Sequence, residues 1–75
     1  MNEFLRFYDS IPNSEWCLNI YHSRIMEWCI KIDFKESHPY HGELIVNVQS
    51  SDVELAFAKA LVVLKEWLLE NKGGY

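Results

Sequence analysis

The stretch WCLNIYHSRIMEWCIKIDF, residues 16–34, decides the fold. Trp16, Leu18 and Ile20 alternate with Cys17, Asn19 and Tyr21. After His22-Ser23-Arg24 the alternation resumes, with Met26, Trp28, Ile30, Ile32 and Phe34 set against Glu27, Cys29, Lys31, Asp33 and Lys35. Successive side chains of a strand point to opposite faces, so a period of two predicts half-buried strands. Two such runs joined by a tight connection predict an antiparallel hairpin. A turn about Ser23 would place Cys17 directly opposite Cys29.

Downstream, Glu36-Ser37-His38-Pro39-Tyr40-His41-Gly42 carries the chemistry of a loop. A third strand follows, with Leu44, Val46 and Val48 expected inward and Glu43, Ile45, Asn47 and Gln49 outward. Short connections favour an antiparallel meander. Ser51 and Glu54 have capping-box spacing, with Asp52 at the positive end of the helix dipole. Val53, Phe57, Ala60, Leu61, Leu64 and Leu68 then recur at three- and four-residue steps, and Gly73-Gly74 ends the run. A long C-terminal helix is expected there. Upstream, Phe4, Phe7, Tyr8 and Ile11 have helical spacing behind Asn2, and Pro12 stops them. The expected fold is one α+β domain over residues 1–75: a three-stranded antiparallel sheet with a short N-terminal and a long C-terminal helix on one face, α-β-β-β-α.

Composition agrees with that fold. The chain is 49% hydrophobic and 15% aromatic, enough for a packed core without a disulfide or metal framework, and too apolar for a disordered chain. The net charge of −4 runs against nucleic-acid binding, which rests on excess Lys and Arg. The longest apolar run, residues 60–64, is far short of the roughly 18 residues that span a bilayer, and the acidic start lacks the features of a secretory signal. Two cysteines make no disulfide scaffold, so a reducing, cytoplasmic setting is expected.

The α-β-β-β-α order, with Ala56-Phe57-Ala58-Lys59-Ala60-Leu61 in its last helix, resembles the double-stranded-RNA-binding-domain topology. The resemblance covers nearly the whole chain and implies the fold. It also implies an alternative function, binding of double-stranded nucleic acid. In that family a basic cluster opening the final helix grips phosphates. Here the position reads Ser50-Ser51-Asp52-Val53-Glu54, and the first strand connection is short. In general profile (short, acidic and without catalytic motifs) the chain also resembles small phage accessory proteins, including anti-CRISPR-like inhibitors. That likeness implies direct contact with a host protein.

Chemistry finds little to build on. His38 and His41 could begin a zinc site, but zinc needs three or four ligands, and only Cys17, Cys29 and His22 add soft donors. Two unrelated thiols and a polar loop are the simpler reading, so no metal or cofactor is expected. No G-x-S-x-G, phosphate-cradling glycine loop or H-E-x-x-H occurs, and no enzyme is expected. What remains is a protein-binding module using the sheet face that no helix covers. Its expected contact residues are Tyr21, Lys31, Asp33, Ile45 and Asn47, flanked by His38 and Tyr40. Scattered cations (Arg24, Lys31, Lys35, Lys59) are the nucleic-acid alternative's resource. An exposed strand edge or Trp67 would serve self-association.

Overall fold

The computed structural model describes residues 2–22, 27–40 and 42–74. Expectations on Ser23, Arg24, Met26 and His41 lie outside the described residues. Helix α1 spans Glu3–Ser10, and the Asn2 side chain caps it by accepting from the Leu5 N–H at 3.1 Å. It ends where Ile11 turns extended, the conformation that the following Pro12 imposes. Strands β1 (Trp16–His22), β2 (Trp28–Phe34) and β3 (Leu44–Ser50) form an antiparallel sheet in the order β1-β2-β3. Helix α2 spans Val53–Lys72. The architecture is the α+β, α-β-β-β-α arrangement that the sequence predicts.

The core lies between the sheet and the helices. Ile30, Ile32, Val46 and Val48 meet Ala56, Ala60, Leu64 and Leu68, one four-residue stripe of α2. Alanine at two of these positions lets the helix axis lie close to the sheet. Helix α2 rests on β3 and β2, and α1 lies against α2, with the Phe4 ring 5.9 Å from that of Phe57. Edge strand β1 is less sheltered on this side: Trp16 is buried, Leu18 half-buried and Ile20 exposed.

The structure corrects three sequence expectations. First, pairing jumps from Ile32↔Val46 to Asp33↔Leu44, so Ile45 is the extra residue of a β-bulge. The bulge reverses the alternation at one end of β3. Ile45, expected outward, is 4% exposed in the core, while Leu44, expected inward, is 48% exposed. Second, the hairpin register sets Cys17 opposite Asp33 and Cys29 opposite Tyr21, so the two thiols do not face each other. Third, the cap of α2 is Asp52 rather than Ser51. Its Oδ1 accepts from the N–H groups of Glu54 at 2.8 Å and Leu55 at 3.1 Å. A carboxylate makes stronger, charge-assisted bonds there than a hydroxyl and also complements the helix dipole. Trp67, which could cover the sheet edge or meet a partner, is half-buried against the core. It meets Trp16 edge-on at 5.7 Å and Phe34 at 6.3 Å, sealing one end of the core.

Candidate functional site

The face of the sheet turned away from both helices carries three cross-strand rows. They read Cys17–Asp33–Leu44, Asn19–Lys31–Asn47 and Tyr21–Cys29–Gln49, with the β2 residue in the middle of each. Antiparallel sheets commonly leave one face to solvent, and the polar phase of each strand sets which one. The flanking positions Cys17, Asn19, Tyr21, Leu44, Asn47 and Gln49 are all exposed. The central residues lie deeper between their neighbours: Lys31 and Asp33 are half-buried and Cys29 is 5% exposed. The result is a shallow surface mixing an aromatic, an aliphatic, three amides and one charge of each sign.

Two features give this face its electrostatic character. The Lys31 ammonium lies 6.0 Å from the centroid of the Tyr21 ring, at the outer limit of a cation–π contact. Asp33 Oδ1 is buried with no hydrogen-bond partner. A carboxylate oxygen withdrawn from water without a donor costs about 1–3 kcal/mol or more, so such atoms call for an explanation.

The expected contact residues divide into three groups. Tyr21, Lys31, Asp33 and Asn47 share the open face. Ile45 belongs to the core, and Leu44 occupies the place predicted for it. His38 and Tyr40 do not flank the open face. Their rings pack on inward-facing Phe34, at 4.4 and 5.9 Å, on the helix side and at the end of β2 remote from Tyr21. Five residues of strand separate the two ends, about 17 Å.

His38 instead borders a hollow of about 590 Å³ between the start of β1 and the end of α2, walled by Ile11, Trp16, Phe34 and Leu68. Its Nε2 contacts Glu15 Oε2 at 2.7 Å, and its Nδ1 accepts the Tyr40 N–H at 3.0 Å. Both ring nitrogens are thus occupied within the chain, so His38 offers no lone pair to a metal or a substrate proton. Among the described residues no three His, Cys, Asp or Glu side chains converge as a metal site requires. Cys17 and Cys29 are free thiols. Burial pushes the Tyr8 hydroxyl above its ordinary value, and Cys17 adds in the same direction.

Among the described residues, the cations on which a nucleic-acid surface would depend are dispersed. Lys31 lies on the open face, Lys35 is exposed beyond the end of β2, and Lys59 is on the solvent side of α2. The first turn of α2 presents Asp52 and Glu54. No described helix is long and apolar enough to cross a membrane.

Fold and surface together define a small α+β module whose sheet carries one helix-packed face and one uncovered face of mixed polarity. No protein-family model, curated protein or solved structure matches the chain.

Proposed function

We propose that the chain is a non-enzymatic protein-binding module, of inhibitor or adaptor type, that engages a protein partner through its open sheet face. The observation that carries the reading is the pair of opposite charges at the centre of that face, with Asp33 Oδ1 buried and unpartnered. A partner donating an N–H or a cationic group to that oxygen would remove a desolvation cost already present in the unbound chain. Tyr21 and Leu44 supply exposed apolar area at opposite corners, the anchor type enriched in interface cores. Small size, acidity and free thiols fit a cytoplasmic inhibitor encoded by a phage or mobile element and aimed at a host protein. The divergent nucleic-acid reading loses support from the dispersal of the cations.

The test uses three immobilised proteins: wild type, a face variant (Tyr21→Ser with Leu44→Ser), and Asp33→Asn. Each is incubated with nuclease-treated lysate from the source organism, and bound proteins are identified by mass spectrometry. The expected result is a protein retained by wild type, weakened by Asp33→Asn and lost with the face variant. Retention of nucleic acid alone from untreated lysate, or equal retention by all three, would overturn the proposal.

A further inference from the structure

We infer that α2 is also a self-association surface, on which two copies of this chain pack their α2 helices antiparallel about Val62. The two helices of the chain differ in how their apolar residues are arranged. Helix α1 is sharply one-sided, whereas α2 is apolar on two faces. One of these is the buried stripe of Ala56, Ala60, Leu64 and Leu68. The other faces solvent and consists of Leu55, Val62 and Leu69, 49%, 56% and 56% exposed. A helix that is apolar nearly all round is ordinarily covered on both sides.

The spacing of the exposed stripe identifies what would cover it. Leu55, Val62 and Leu69 are seven residues apart. Seven residues fall only about 20° short of two full turns, so the three form a nearly straight seam suited to another helix. Exposed Ala58, between Leu55 and Val62, allows close approach. The flanking charges favour a second copy as that helix. Lys59 and Glu66 lie along one side of the seam, three residues before and four after Val62, and both are exposed. In an antiparallel pair related by a two-fold axis at Val62, Leu55 meets Leu69 of the second copy. Lys59 then faces Glu66 of the second copy, and the contact occurs twice by symmetry. A parallel pair would instead set the Lys59 and Glu66 flank against Ala58 and Lys65 of the second copy, and the Lys59–Glu66 contacts would be lost. The antiparallel arrangement is the one in which Lys59 and Glu66 pair with each other, and the opposed helix dipoles also favour it. On the other side of the seam Lys65 turns back to the Phe7 ring at 5.2 Å and leaves the apolar strip open.

Such a dimer would be a β-α-α-β sandwich with an open sheet face on each outer side. It rests on observations separate from those for the sheet face, and either proposal can fail alone. The test is sedimentation equilibrium between roughly 10 μM and 1 mM, the range in which small interfaces associate. Wild type should shift from 8.9 kDa toward twice that mass as concentration rises. Val62→Glu should stay monomeric with an unchanged circular dichroism spectrum, because Val62 lies outside the core. Lys59→Glu and Glu66→Lys should each weaken association about tenfold, through two like-charge contacts, and the double exchange should restore it. A constant monomer mass at the highest concentration would overturn the proposal. So would a dimer that survives Val62→Glu, or single exchanges that the double exchange does not rescue.

Discussion

The bulge in β3 makes a quantitative prediction, because it assigns opposite environments to two adjacent aliphatic residues. Ile45 is 4% exposed among Phe4, Ile32, Val46 and the α2 stripe, while Leu44 is 48% exposed beside Asp33. Trimming a buried isoleucine to valine typically costs about 1 kcal/mol, and to alanine about 2–5 kcal/mol. Exposed positions away from special features change stability by no more than about 0.5 kcal/mol. In a chain of this length 1 kcal/mol moves Tm by about 4–8 °C. Ile45→Val should therefore lower Tm by roughly that interval, and Leu44→Ala by less than about 4 °C. Ile45→Ala should remove most of a total stability on the order of 3–5 kcal/mol. Thermal melts followed by circular dichroism, with urea titrations to confirm the rank order, measure all three. Strict alternation would reverse the ranking. If Leu44→Ala destabilised as much as Ile45→Val or more, the bulge and the face built on it would both be refuted.

Three further predictions address other parts of the structure. Asp52→Ala should cost about 1 kcal/mol by removing the α2 cap, and Ser51→Ala less than about 0.5 kcal/mol; chemical denaturation of the two variants separates them, and the reverse order would restore Ser51 as the cap. With Ellman's reagent, exposed Cys17 should react at once and buried Cys29 only on unfolding, so Cys17→Ser should abolish the fast phase. Two fast thiols would place Cys29 at the surface. Tyr8 has a raised folded-state pKa, so its neutral form is favoured by folding. Its contribution to stability is complete below the ordinary value of 10.0 and is lost as pH rises through the folded value. The ultraviolet titration difference between wild type and Tyr8→Phe should have its midpoint above 10.0, and a midpoint at or below that value would contradict the burial of this hydroxyl.

Much of the fold is legible in the sequence because its signals are local. The alternation through residues 16–34 can be satisfied only by strands, and the four-residue steps from Ala56 to Leu68 only by a helix. The features that are not legible depend on partners distant in sequence. Leu44-Ile45-Val46 is a run of three apolar residues that either alternation would fit. That run is the available sign of a bulge, since either phase leaves an apolar residue facing outward. The hairpin register depends on which turn closes it, so the expected pairing of Cys17 with Cys29 gave way to Asp33 and Tyr21. The depth of Cys29 follows from its place between two flanking strands, although its phase points outward. His38 pairs with Glu15, and nothing in the local sequence joins them. Of the candidate site, the polar phases of β1 and β2 could be read directly, while its Leu44 corner and the absence of His38 and Tyr40 from it could not.

The most direct test of the proposed binding surface is hydroxyl-radical footprinting of the chain, free and in the presence of any protein that it retains from lysate. Oxidation at Tyr21, Leu44 and Cys17 should fall on binding, with Ile45 unreactive in both states. Unchanged oxidation at Tyr21 and Leu44, with protection confined to other surfaces, would contradict the assignment of the open sheet face as the contact surface.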